Sequence, residues 1–81
     1  MTQHFHSSIA TEKGVFNFYF NKVETTDGNR YHVSVIDRLG KAIIFLIHEI
    51  NKEWLIIPAP EPPDWIMSLQ EKLGEVIREN N

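Results

Sequence analysis

The feature that most constrains the fold is an alternation of aromatic residues within residues 15–24, VFNFYFNKVE. Successive side chains of a strand point to opposite faces, so Phe16, Phe18 and Phe20 would share one face of an extended chain. The segment is therefore predicted to be a β-strand with one aromatic face.

Three further segments have the composition of strands. They are residues 30–38 (RYHVSVIDR), residues 41–50 (KAIIFLIHEI) and residues 54–57 (WLII), separated by turn residues at 25–29, at Leu39-Gly40 and at Asn51-Lys52. The run 41–50 is apolar on both faces, which is typical of a central strand covered on both sides. Its periodicity alone also allows a buried helix, but its β-branched isoleucines favour a strand.

Four prolines in residues 58–63 (PAPEPP) end this pattern, because proline cannot donate a ladder hydrogen bond. Pro63 and Asp64 suit the first turn of a helix. Apolar residues then recur at helical spacing: Trp65, Ile66, Leu69, Leu73, Val76 and Ile77. We predict one amphipathic helix of about four turns, with Gly74 in its interior.

The predicted fold class is α+β, a four-stranded antiparallel β-β-β-β-α meander with the C-terminal helix packed on one face. Residues 14–81 are predicted to form one domain, in which residues 58–63 link the sheet to the helix. Residues 1–13 leave two alternatives. Alternating residues such as Phe5 and Ile9 favour an extra N-terminal edge strand, and the other possibility is a frayed tail.

Size and charge exclude several classes of protein. The chain has 81 residues, no cysteine and a formal net charge of −3, so no disulfide can supplement its small core. Residues 13–52 carry a net charge of +2, whereas residues 53–81 carry −4. No apolar run approaches the roughly 18 residues of a membrane span, and the N-terminus lacks a signal-peptide pattern. We therefore expect a cytoplasmic protein that has no membrane partner.

Apolar residues lie on both predicted faces of the sheet, although one helix can cover only one of them. We therefore expect either that a second copy of the chain covers the other face, making a homodimer, or that this face is a binding platform, or both. Candidate residues for a dimer or protein interface are Phe16, Phe18, Phe20, Trp54 and Trp65. The alternative is that these side chains fill the core of a single chain.

The order of elements resembles a single PUR repeat, with FNFYFNKVETTDG as the aromatic first strand, then RYHVSVID, KAIIFLIHE and a closing helix. This architecture is similar to that of whirly-type single-stranded nucleic-acid binders. The resemblance implies a homodimer whose sheet aromatics stack on bases beside basic residues. The corresponding positions are Phe18, Tyr19 and Phe20 with Lys22 on the first strand, and Arg30, Tyr31 and His32 on the second.

Nucleic-acid binding requires cations for phosphates and flat rings for bases. The candidates on the sheet half are Tyr19, Lys22, Arg30, Tyr31, Arg38 and Lys41, and the alternative is that they form an ordinary solvated face. The expected function is thus a small non-enzymatic homodimeric binding module for single-stranded DNA or RNA. The rival hypothesis is a protein-interaction or assembly module that binds no nucleic acid.

The sequence contains few of the residue patterns that are typical of catalytic or metal-binding sites. His4 and His6 would share one side of a strand, but two ligands do not make a metal site. His32 and His48 lie on different strands, where two ordinary histidines are the simpler interpretation. The sequence contains no cysteine nucleophile and no glycine-rich phosphate loop. We therefore expect no enzyme activity, no cofactor and no bound metal.

Overall fold

A computed structural model describes residues 4–26, 28–58 and 61–80. Five strands form one antiparallel sheet in the order of the chain, and two short helices follow. The elements are β1 (His4–Thr11), β2 (Gly14–Thr25), β3 (Gly28–Ile36), β4 (Ala42–Ile50), β5 (Glu53–Ile57), α1 (Asp64–Met67) and α2 (Gln70–Glu79). The predicted α+β class, with an antiparallel sheet and a C-terminal helix, is confirmed.

Residues 4–11 of the N-terminal segment form the extra edge strand rather than a tail, and residues 1–3 lie outside the described residues. β1 pairs with β2 without interruption from His4 opposite Asn21 to Thr11 opposite Gly14. Phe5 stacks on Phe20 with ring centroids 4.7 Å apart, and Ile9 is buried. Burial of these two side chains ties β1 to the core, although polar residues surround them in the sequence.

One face of the sheet, here called the helix side, carries the core. The strand residues buried there are Ile9, Phe18, Phe20, Tyr31, Val33, Val35, Phe45, Ile47, Trp54 and Ile56. The helices and the turn between them add Ile66, Leu69, Leu73, Val76 and Ile77. Ring contacts cross the sheet from Phe5 and Phe20 through Tyr31 to Trp54. The predicted aromatic face of β2 is thus the centre of the core.

The helical region is divided, in contrast to the single helix predicted from the spacing. The Pro63 carbonyl accepts hydrogen bonds from Ile66 and Met67, which starts α1 where proline was expected to start it. At the break, the Leu69 amide bonds to the Ile66 carbonyl at 2.9 Å, a tighter turn than an α-helix has. The Ser68 hydroxyl donates to the Trp65 carbonyl at 3.0 Å, the kind of local bond by which serine competes with regular helix.

Helix α2 packs along the edge strand β5. A Cβ atom added at Gly74 would lie 3.1 Å from the Trp54 Cβ, so the glycine permits the close approach of helix and strand. The Gln70 side chain accepts the outward-facing Ile56 amide at 2.8 Å, and Arg78 donates to the Lys52 carbonyl at 3.2 Å. Within the described residues, no helix is long and apolar enough to cross a membrane.

The β3–β4 connection is organised by one carboxylate. Asp37 Oδ1 accepts the amides of Leu39 and Lys41, both at 2.9 Å. This bonding ends β3 at Ile36, so Arg38, predicted to end the strand, lies in the turn instead.

Replacing Asp37 by alanine removes the oxygen that accepts both amides and should lower the free energy of unfolding by about 1–2 kcal/mol, by analogy with the loss of a helix cap. Chemical denaturation of the variant would measure this. Asp37→Asn is the matched control, because its side-chain oxygen can accept the same amides. Equal destabilisation by the two substitutions would contradict this role of the side-chain oxygen.

The β4–β5 turn contains backbone strain. Asn51 and Lys52 have φ values of 53° and 69°, and the left-handed region is costly for a lysine. Lys52→Gly should therefore raise the free energy of unfolding by roughly 0.5–1 kcal/mol. Lys41→Gly is the control, since Lys41 has no positive φ, and thermal denaturation should show it to be neutral or destabilising. A loss of stability in Lys52→Gly would refute the strain argument.

Candidate binding surface

The second face of the sheet, here called the open face, is the candidate surface. Its side chains follow from the strand registers: His4, His6, Ser8, Ala10, Val15, Asn17, Tyr19, Asn21, Val23, Arg30, His32, Ser34, Ile36, Ala42, Ile44, Leu46, His48, Ile50, Glu53, Leu55 and Ile57. None of these side chains is buried. The helix side of the sheet is therefore the buried face, and the open face is exposed to solvent.

Charge is almost absent from the open face. Among the side chains just named, only Arg30 and Glu53 are formally charged at neutral pH. Yet 23% of the residues in the chain are charged, and they are concentrated on the helices, turns and strand ends. Charge depletion is typical of the centres of protein interfaces rather than of solvated surfaces.

The half of the open face formed by the end of β3 and by β4 and β5 is aliphatic. Ile36 and Ile44 are 60% and 61% exposed and lie on neighbouring strands. Partly exposed Leu46, Leu55 and Ile57 continue the patch across β4 and β5. Burial of contiguous exposed aliphatic side chains of this kind against an apolar partner is energetically favourable.

The half formed by β1 and β2 is uncharged and mixes polar side chains with apolar ones such as Val15, which is 69% exposed. Ser8 donates to the Asn17 side chain at 2.6 Å, and His4 bonds to the Asn21 side chain. The Tyr19 ring is 48% exposed and lies 5.5 Å from the His6 ring. These groups can offer hydrogen bonds and flat surfaces to a partner, without an electrostatic field.

All four histidines lie on the open face. His4 and His6 share one side of β1, as their spacing predicts, while His32 and His48 are diagonal neighbours on β3 and β4. Among the described residues, no three histidine or carboxylate side chains come close enough together to hold a metal ion.

The six residues predicted to contact nucleic acid are dispersed. Tyr19 and Arg30 lie on the open face, whereas Lys22 and Tyr31 are opposite each other on the helix side, where Tyr31 is fully buried. The exposed side chains of Arg38 and Lys41 belong to the β3–β4 connection. The Tyr31 ring therefore offers no face on which a base could stack.

Of the five residues predicted to form an interface, three lie in the core and two line a surface groove. Phe18 and Phe20 are fully buried and Trp54 is nearly so, all within one chain. Phe16 and Trp65 are partly buried, with ring centroids 5.2 Å apart. Together with Lys13, Asp37, Arg38 and Leu39, these last two line a shallow groove of about 350 Å³ at one end of the molecule.

Arg30 carries an unpaired donor. Its Nε is buried and has no hydrogen-bond partner among the described residues. Leaving such a group unsatisfied costs roughly 1–3 kcal/mol.

Sequence reasoning identified Tyr19 and Arg30 but missed Ile44, Leu46, Leu55 and Ile57 as surface residues. The signal was present in the run 41–50, which is apolar on both faces. That pattern predicts a strand covered on both sides, whereas β4 is covered on one side only.

Comparison with protein-family models, with curated proteins and with solved structures finds no match to this chain.

Proposed function

We propose that this chain is a non-enzymatic self-assembly module, a homodimer in which two copies pack their open faces together. The single observation that carries the proposal is the near absence of charge from an exposed, partly aliphatic sheet face. Among the classes of partner expected from the sequence, a protein surface fits such a face better than a polyanion does.

The dimensions of the face support this proposal. Five strands about 4.8 Å apart and about eight residues long, at about 3.3 Å per residue, span roughly 600 Å² in projection. Side-chain relief adds to that area, which brings it near the roughly 800 Å² per partner found in stable interfaces. Sheets with one apolar face commonly pack against each other in this way, about 10 Å apart.

Charge permits a second copy as the partner at this face. Each chain has a net charge of −3, so two chains repel each other, and the repulsion is smallest where few charges lie at the contact. The open face is such a region, because its only formal charges in the described chain are Arg30 and Glu53, of opposite sign. A two-fold axis would bring the aliphatic residues of both copies into one layer.

Ile44→Asp should weaken this dimer about 100-fold or more, because each of the two copies loses roughly 1.5–3 kcal/mol of apolar burial. Sedimentation velocity over a concentration series would measure the change. Leu39→Asp is the matched control, since Leu39 is 92% exposed in the β3–β4 turn. Unchanged association of Ile44→Asp would eliminate the open face as the interface.

Single-stranded nucleic acid is a second candidate partner, favoured by the exposed Tyr19 ring beside His6. Stacking of one base on such a ring is worth about 1–3 kcal/mol. The described part of the open face supplies a single formal cation, Arg30, to pair with phosphates. This candidate is therefore the weaker of the two.

We expect no binding of a short single-stranded oligonucleotide in fluorescence anisotropy, even at about 50 mM salt, where counterion release is most favourable. The assay includes Tyr19→Ala and its ring-preserving control, Tyr19→Phe. Salt-dependent binding that Tyr19→Ala abolishes and Tyr19→Phe retains would replace the self-assembly proposal with the nucleic-acid one.

A further inference from the structure

The two edges of the sheet differ in their protection. At the β5 edge, Gln70 of α2 accepts the Ile56 amide and Arg78 donates to the Lys52 carbonyl. At the β1 edge, the described residues provide no comparable contact to the outer backbone. An unpaired strand edge is a template for pairing with another strand, so this asymmetry matters.

The sequence of β1 lacks the usual devices that prevent edge pairing. His4–Thr11 (HFHSSIAT) contains no proline, lysine, arginine or carboxylate. Its ladder with β2 runs through consecutive pairs without a bulge. Soluble sheets commonly protect an exposed edge with charges, prolines or bulges, and β1 has none of these.

The hydrogen-bonding groups that β1 presents outward can be identified. The Ile56 amide faces away from β4, because it bonds to Gln70. Along a strand, the N–H and C=O groups of successive residues point alternately toward its two sides. All four strand pairings are continuous, so the direction of the Ile56 amide determines the direction of the backbone groups in every paired residue from β5 to β1. This leaves the backbone of His4, His6, Ser8 and Ala10 facing outward.

These four residues define one register for self-pairing. A two-fold axis perpendicular to the sheet at Ser7 pairs His4 with Ala10 and His6 with Ser8 of the second copy, so all four are used. The same axis sets Phe5 opposite Ile9 and Ser7 opposite itself. Each histidine then meets a small side chain, and no formal charges oppose each other.

From this complementarity we infer that β1 pairs antiparallel with β1 of a second copy, centred on Ser7, to make a continuous ten-stranded sheet. The pairing is independent of the proposed open-face dimer and leaves the open faces on the same side. Its two-fold axis is perpendicular to that of a face-to-face dimer, so the two interfaces together would close as a tetramer where the two axes intersect.

Disulfide trapping tests the register directly, because the chain has no cysteine of its own. In Ser7→Cys the two Cα atoms would lie about 4.5 Å apart, as in a non-hydrogen-bonded pair, so a disulfide-linked dimer should form under mild oxidation. In Ser8→Cys, the matched control, they would lie about 8 Å apart, beyond the disulfide limit of about 7 Å. Equal trapping of the two variants, or trapping of neither, would overturn the inference.

Sedimentation of charge variants separates the edge from the face. Ser7→Lys places a charge on the helix side of β1, away from the open face, and sets two lysines directly opposite each other in the proposed register, so it should weaken edge pairing at least about tenfold. Val15→Lys, which adds the same charge to the exposed open-face side of β2, should leave the edge pairing intact. Circular dichroism would verify that both variants fold.

The experiment distinguishes failure of the β1-edge inference from failure of the open-face proposal. With both interfaces present, the wild type is a tetramer or a larger assembly, Ile44→Asp and Ser7→Lys are dimers, and the double variant is a monomer. A dimer that Ile44→Asp dissociates and Ser7→Lys does not would overturn the edge inference and leave the open-face proposal intact. A dimer that only Ser7→Lys dissociates would support the edge and refute the open-face dimer.

Discussion

The structure depends on one interaction, the burial of aromatic rings on the helix side of the sheet. Phe5, Phe20, Tyr31 and Trp54 contact one another across four of the five strands, with centroid distances of 4.7 to 6.4 Å. Rings of this size bury more area than any other side chains available to a small domain. A chain without disulfides concentrates its apolar burial there, and the open face remains uncovered.

Much of the fold could be predicted because the main signals are local. The alternation of Phe16, Phe18 and Phe20 fixes a strand, and the prolines of residues 58–63 separate sheet from helix. The division of the helix at Ser68 depends instead on a hydroxyl that bonds to the Trp65 carbonyl. The sequence does not show whether the hydroxyl of a serine between helix-forming residues will bond to the backbone in this way.

The candidate surface was less predictable because it depends on register. Period-two patterns divide each strand into two faces, but they do not say which residue lies opposite which. Lys22 proves to be opposite Tyr31 on the helix side, and Tyr19 lies opposite Ser34 on the open face. The cations and rings that are neighbours in the sequence are therefore separated by the thickness of the sheet.

The same one-sided construction explains why the two edges differ. Helix α2 must lie against the sheet to bury Leu73 and Ile77, and its close contact with Trp54 at Gly74 brings it to the β5 edge. Gln70 and Arg78 then lie within reach of the β5 backbone and protect it. Among the described residues, α2 packs along β5 and no helix packs along β1, which is held inward through Phe5 and Ile9. The helical region thus completes one face and one edge, and the open face and the β1 edge are the surfaces that a second copy would complete.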